Sequence, residues 1–106
     1  MTQAISVYII ATDTAEAERI AEALVAERLA ACVNILSNIR SVYRWQGKVD
    51  SSAEWLLLIK TTVEKFPNVR AAIRDLHSYD LPECIAIVVE GGSEEYLDWI
   101  ADSVAD

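Results

Sequence analysis

The chain has 106 residues, of which 53% are hydrophobic, and 9 basic against 17 acidic side chains give a net charge of −8. This length and composition predict one ordered domain over residues 1–106, because the chain carries enough apolar surface to build a core. The acidic balance excludes a typical nucleic-acid partner, which requires surplus Lys and Arg to displace counterions from phosphates.

The first predicted elements are a strand and a helix. Residues 5–11 form a short apolar run rich in β-branched side chains, which favours a buried strand. Asp13 followed by Glu16 is a capping pattern for a helix N-terminus. An apolar stripe with helical spacing then predicts a helix over residues 14–29.

The middle of the chain predicts two long strands joined by a hairpin. Residues 31–44 are apolar and β-branched, with a bend or bulge expected near residues 37–38. Residues 46–48 supply a glycine for the hairpin tip, and the stretch 50–52 is also rich in turn formers. The apolar run over residues 54–61 predicts the returning strand.

The last third predicts a helix, a strand and a terminal helix. Thr61 or Thr62 is expected to cap the helix, with Pro67 in its first turn and an end near His77. Residues 85–89 predict the fourth strand. After Gly91 and Gly92, an apolar stripe predicts the terminal helix.

This order of elements predicts an α+β fold: a ferredoxin-like split βαβ sandwich with a four-stranded antiparallel sheet, a long hairpin and a C-terminal helix. Its two crossover helices cover one face of the sheet. Residues 54–61 and 85–89 are nevertheless apolar on both faces. Burying four or five large side chains contributes on the order of 10 kcal/mol, so we expect a partner subunit on the second face.

The charges divide the chain into two regions. Residues 28–48 carry four basic side chains and no acid, whereas residues 80–106 carry eight acids and no base. Opposite regions of this kind can steer one subunit onto another. The alternative is that each region is simply a solvated face.

Five segments, taken in order, resemble one known family. They are AACVNI (30–35), YRWQGKV (43–49), EWLLLIKT (54–61), HSYDLPE (77–83) and YLDWI (96–100). Together they resemble the CutA family of divalent-cation tolerance proteins. The resemblance covers nearly the whole chain, and it implies a ferredoxin-like homotrimer, similar in architecture to the PII signalling proteins, with an association with copper and other divalent metals.

Two residues are candidate metal ligands. Copper favours thiolate and imidazole donors, and Cys32 and His77 match the family's cysteine and histidine. No close ligand spacing is present, so the fold or a second subunit must assemble the site. Alternatively, Cys32 is a buried small hydrophobe within an apolar strand. Cys84, at a strand start, is expected to belong to the core.

A second set of candidates is polar and aromatic. Its members are Tyr43, Trp45, Lys60, Tyr79 and Glu83, all in family-matching segments. They are predicted to line a cleft between subunits that takes a small ligand, with the Lys60 ammonium meeting an anion or Glu83. The alternative is that these side chains lock the trimer interface.

Catalysis is not expected. The sequence contains no phosphate-binding glycine-rich loop, nucleophile elbow, CxxC pair or HExxH helix. We predict a trimeric divalent-metal binding protein, with copper as the first candidate, that needs no organic cofactor. The alternative is a PII-like module that senses a small molecule or binds another protein and has only an indirect link to metals.

The compartment is predicted from the cysteines and the start of the chain. Two cysteines are too few for a disulfide-stapled secreted scaffold, so both are expected to be free thiols. The first residues lack the basic start of a signal peptide, and no apolar run reaches the roughly 20 residues of a membrane helix. We therefore predict a cytoplasmic protein without a membrane partner.

Overall fold

The computed structural model of the protein describes residues 2–106, which form a four-stranded sheet and three α-helices. The elements are β1 (Ala4–Ala11), α1 (Thr14–Ala26), β2 (Cys32–Trp45), β3 (Lys48–Thr62), α2 (Phe66–Leu76), β4 (Cys84–Val88) and α3 (Glu94–Val104). The strand order is β2-β3-β1-β4, and each neighbouring pair is antiparallel. The predicted α+β ferredoxin-like arrangement is confirmed.

One face of the sheet is covered by α1 and α2. Alternate residues of β1 and β3 point toward these helices, and Val7, Ile9, Leu57 and Ile59 are completely buried. The helices contribute the other half of this core, namely Ala17, Ile20, Leu24, Val69 and Ile73. This packing fixes the end of β1 and the start of α1, where the candidate site lies.

The opposite face is only partly covered. α3 packs against β1 and β3 and buries Ile100 and Val104, which lie outside the core formed with α1 and α2. Leu36 on β2 and Ile85 and Ile87 on β4 keep between 42% and 51% of their surface exposed in the single chain. The predicted second apolar face is present, and α3 does not complete its cover.

The two longest strands extend beyond the sheet as a hairpin arm, residues 39–54. The arm has no third strand, because the pairing of β1 with β3 ends at Trp55. Its tip is a two-residue loop in which Gln46 and Gly47 have φ of 50° and 79°, as hairpin geometry requires. The predicted hairpin tip is present, but the predicted strand start at residue 54 was wrong, because cross-strand pairing carries β3 through the turn formers at 50–52 back to Lys48.

The predicted bulge in β2 is confirmed. Leu36 pairs with Leu56, but the next pair along the ladder joins Ile39 to Glu54, so β2 contains one extra residue. Asn38 accommodates it in the left-handed region, with φ of 59°. The bulge lies where the hairpin arm leaves the sheet.

Helix α1 ends at Ala26, three residues earlier than predicted. The Leu29 amide bonds to the Leu24 carbonyl and the Arg28 amide to the Val25 carbonyl, while Arg28 takes a φ of 60°. These are the bonds of a Schellman motif, which usually has glycine at the left-handed position. Because this position is occupied by Arg28 and not by glycine, the sequence did not indicate that the helix ends here.

The remaining boundaries differ by about one residue or one turn. A turn of 3-10 helix (Val63–Lys65) precedes α2, and Pro67 lies in the first turn of α2 as predicted. β4 covers Cys84–Val88 rather than residues 85–89. Within residues 2–106, no helix has the length and apolar character required to span a bilayer.

Candidate functional site

A groove lies between the hairpin arm and the loop of residues 77–83, which joins α2 to β4. Its volume is about 460 Å³, within the range of roughly 300 to 1,000 Å³ typical of small-ligand sites. The lining residues are Ile10, Tyr43, Trp45, Ser78, Tyr79, Asp80, Leu81 and Glu83. Four of the five residues predicted to form a pocket, Tyr43, Trp45, Tyr79 and Glu83, therefore meet within a single chain.

Lys60, the fifth predicted pocket residue, lies toward the other end of the sheet. It pairs with Ser6 on β1, whereas the groove borders β1 at Ile10. Four residues along a strand correspond to about 13 Å. Among the described residues that line the groove there are two carboxylates, Asp80 and Glu83, and neither lysine nor arginine. One chain therefore offers no cation there to the predicted anionic ligand.

His77 anchors the base of the loop. Its side chain is completely buried, with Nε2 hydrogen-bonded to the Ile10 carbonyl and Nδ1 accepting from the Tyr79 amide at 3.0 Å. Because a carbonyl oxygen only accepts, Nε2 carries the proton and Nδ1 is the acceptor. A metal ion at Nδ1 would have to displace the Tyr79 amide.

Glu16 is a second buried anchor, at the start of α1. One carboxylate oxygen accepts from the Thr12 amide at 3.0 Å and from the Thr12 hydroxyl at 3.2 Å, and the other accepts from the Ser78 amide at 3.1 Å. Burial alone would raise the pKa of Glu16, but the hydrogen bonds from Ser78 and Thr12 outweigh it and hold the pKa below its usual value. The ionised carboxylate thus ties the loop to the helix.

We expect Glu16→Gln to make the protein less stable at pH 7 by about 1 to 2 kcal/mol, because an amide replaces an ionised acceptor. A lowered native pKa stabilises the fold above the usual value of 4.5, and that contribution disappears as pH falls through the native pKa. The difference in free energy of unfolding between the wild type and the variant should therefore become smaller below about pH 4.5. Urea unfolding curves recorded at several pH values measure it. Glu18→Gln, on the exposed side of α1, is the matched control, and a pH-independent gap for Glu16→Gln would contradict the assignment.

The two tyrosines of the groove are held by their hydroxyl groups. Tyr79 donates to Glu54 Oε2 at 2.8 Å, and the Tyr43 hydroxyl lies 3.1 Å from the Ser52 hydroxyl. Burial and the adjacent Glu54 carboxylate raise the pKa of Tyr79 to about 12. Tyr79 is therefore neutral at physiological pH, and both rings enter the groove with their polar atoms already paired.

The two predicted metal ligands are not brought together within one chain. Cys32 starts the edge strand β2, where it is partly exposed and pairs with Lys60, whereas His77 is bonded to Ile10. Residues 2–106 contain no cluster of three or more His, Cys, Asp or Glu side chains arranged to hold a metal ion. A site that uses both residues would need a second subunit.

Cys84 lies in the position expected of a core residue. It pairs with Ile9 at the start of β4 and packs against the core under α1 and α2. Burial raises the pKa of its thiol, and the Arg70 guanidinium only partly offsets this effect. Cys84 is therefore a weak thiolate donor.

Sequence reasoning missed the roles of two buried carboxylates. Glu16 was noted only for its capping pattern, although its side chain reaches the Thr12 amide and the loop. Glu54 was considered only as the charged end of a strand, although it is 6% exposed and holds Tyr79. For Glu54, its position directly before the apolar run 55–59 was the available signal.

The chain matches a known family over almost its whole length. The family described as CutA1 divalent ion tolerance protein matches residues 5–103. A Thermus thermophilus relative named divalent-cation tolerance protein CutA is 49% identical over 82% of this chain and 84% of its own. An Archaeoglobus fulgidus relative with the same name is 45% identical over 92% of this chain and 95% of its own.

A solved structure extends this similarity to the fold. The divalent cation tolerance protein Cut A1 from Thermus thermophilus superposes with a TM-score of 0.94 at 44% identity. The superposition covers 96% of this chain and 99% of that protein. The arrangement of strands and helices described above is therefore that of these relatives.

Proposed function

Because the chain belongs to the CutA1 family of divalent ion tolerance proteins, we propose that it is a homotrimer that binds a divalent cation, with copper as the first candidate. It would act in tolerance of, or response to, metal ions in the cytoplasm, as a binding protein rather than an enzyme. The observation that carries this proposal is the name shared by relatives that are 49% and 45% identical, divalent-cation tolerance protein CutA.

Cys32 is the residue that best supports direct binding of a soft metal. Both thiols are free and partly exposed on edge strands, but the Cys84 side chain packs against the core and burial raises the pKa of its thiol. Thiolates favour copper, and an edge strand is where a second subunit can add further donors. We therefore propose that Cys32 is a metal ligand and that the remaining ligands come from a neighbouring subunit.

Titration calorimetry of the reduced protein tests the metal site. We expect Zn(II), and Cu(I) kept under anaerobic conditions, to bind with a fixed stoichiometry that is lost in Cys32→Ser. Cys84→Ser is the matched control and should bind normally, because its thiol lies against the core. Weak, non-saturating uptake that is the same in all three proteins would reject direct binding and leave only an indirect link to metals.

The incompletely covered sheet face supports the oligomer. Leu36, Ile85 and Ile87 are exposed there in a single chain, and within residues 2–106 no further strand pairs with either edge of the hairpin arm. Apolar area and open edges of this kind favour association. The basic region 28–48 and the acidic region 80–106 also give two copies complementary surfaces.

Trp45, near the tip of the hairpin arm, tests the oligomer. It is 56% exposed in one chain, so burial by a neighbour would contribute about 2 kcal/mol at each interface, and we expect Trp45→Ala to weaken each interface roughly thirtyfold. Analytical ultracentrifugation should show three times 11.8 kDa for the wild type and a shift toward 11.8 kDa for the variant at equal dilution.

Trp99→Ala, on α3 outside the arm, is the control. An intact trimer that no longer binds ligand would rule out the interface role of Trp45.

A second candidate function is a PII-like module that binds a small molecule. The observation that favours it is the groove of about 460 Å³, whose walls combine aromatic and carboxylate side chains. On this alternative, any effect on metal tolerance is indirect, and variants of Cys32 leave ligand binding at the groove unchanged.

A further inference from the structure

The groove combines aromatic walls with unbalanced negative charge. Tyr43, Trp45 and Tyr79 contribute the aromatic part of its lining, and Asp80 and Glu83 contribute two exposed carboxylates. Within residues 2–106, neither carboxylate makes an ion pair or accepts a side-chain hydrogen bond. Within one chain, the negative charge at the groove is therefore unpaired.

The two tyrosines in the wall of the groove are held in place by contacts within the chain. The Tyr79 hydroxyl is held by Glu54, its amide is held by His77, and the Tyr43 hydroxyl is paired with Ser52. These contacts use the polar atoms of both tyrosines and leave their ring surfaces as the main contact area. A fixed wall lowers the entropic cost of binding.

This combination selects a class of ligand. Aromatic rings and carboxylates both attract a positive charge, and they repel an anion. A bare divalent ion would find too few donors, because residues 2–106 contain no cluster of three or more metal-ligating side chains. The volume of about 460 Å³ suits a molecule with an organic body as well as a charge.

We infer that the groove between the hairpin arm and the 77–83 loop binds a small organic cation, with its ammonium group near Asp80 and Glu83 and its apolar body against Trp45 and the two tyrosines. This inference rests on the second candidate function, the small-molecule module, in which Trp45, Asp80 and Glu83 line the groove rather than an interface between subunits. The inferred ligand is a cation, whereas the ligand predicted from the sequence was an anion.

Benzyltrimethylammonium is a suitable probe, with benzyl alcohol as the neutral comparison and benzenesulfonate as the anionic one. We expect saturable shifts of the Trp45 indole N–H signal in NMR titrations with the ammonium ion, at one site per chain. Trp45→Phe assigns the signal. Binding should weaken as salt concentration rises, since exposed charges are screened.

Matched charge variants test the role of the carboxylates. The double variant Asp80→Asn/Glu83→Gln should weaken binding of the ammonium probe about tenfold. Asp98→Asn/Glu94→Gln changes the net charge equally, on exposed positions of α3 outside the groove, and should leave binding unchanged. Equal binding of benzyl alcohol, equal weakening by both double variants, or the absence of saturable shifts would overturn the inference.

The same proteins separate this inference from the proposed metal function. Cys32→Ser should keep ammonium binding and lose the metal, whereas the Asp80→Asn/Glu83→Gln variant should keep the metal and bind the ammonium ion about tenfold more weakly. If ammonium binding fails while the metal titration succeeds, only the groove assignment is overturned. Ultracentrifugation of each variant confirms that the oligomeric state is unchanged.

Discussion

Replacing His77 with alanine is expected to lower the free energy of unfolding by about 3 kcal/mol at pH 7. The imidazole is completely buried and pairs with both the Ile10 carbonyl and the Tyr79 amide. Its removal leaves two polar backbone groups without partners, each costing roughly 1 to 3 kcal/mol. Urea unfolding monitored by circular dichroism at a fixed protein concentration measures the loss.

Asp75→Ala, two residues before His77 and exposed on α2, is the control and should change stability by less than about 0.5 kcal/mol. A loss below 1 kcal/mol for His77→Ala would contradict the anchoring role. The result also governs how metal titrations are interpreted. Loss of metal binding in His77→Ala identifies a ligand only at a temperature where the variant remains folded.

Leu57→Ala is expected to lower the free energy of unfolding by about 2 to 5 kcal/mol, the range found for leucines in well-packed cores. Leu57 is completely buried at the centre of β3, beneath α1 and α2. Since its surroundings belong to one chain, the loss should not depend on protein concentration beyond the dependence of the wild type. Thermal and urea unfolding at two concentrations measure this.

Leu36→Ala is the matched substitution on the opposite face. Leu36 is 42% exposed in a single chain, so within an isolated chain its truncation should cost much less than that of Leu57. If a neighbouring subunit covers it, the cost should appear as weaker association and should grow on dilution. Concentration-independent and equal losses for the two leucines would contradict this division of the sheet into two faces.

Features set by local contacts were predictable from the sequence. The start of α1 follows from Asp13, whose side chain accepts a hydrogen bond from the Glu16 amide as the capping pattern predicts. The bulge near Asn38 and the position of Pro67 were also expected from local residue types. These signals work because the interacting groups are close in sequence.

Two other features were not predictable in this way. The end of α1 rests on Arg28 in a left-handed conformation, which sequence patterns assign mainly to glycine or asparagine. Residues 50–52 read as turn formers, yet pairing with β2 keeps them extended. At residues 50–52, pairing with a neighbouring strand outweighs local preference.

The candidate site could be predicted only in part, because its residues come from segments that are far apart in the sequence. The Tyr43 and Trp45 segment and the Tyr79 loop could be identified individually, and the fold brings them to one groove. Lys60 belongs to a matching segment too, but only the pairing register reveals that it points elsewhere along β3. The type of a residue does not show how far along a strand it lies from a given site.

The extra residue in β2 decides which side of the hairpin arm carries the aromatic rings. Before the bulge, even-numbered Leu36 shares a side with Leu56; after it, odd-numbered Ile39 shares that same side with Glu54. Because side chains alternate, the parity change carries through Tyr43 and Trp45. Deleting one residue at positions 37–38 would turn both rings away from the groove. An insertion or deletion at the bulge therefore changes which side chains form the binding surface, and not merely the size of a loop.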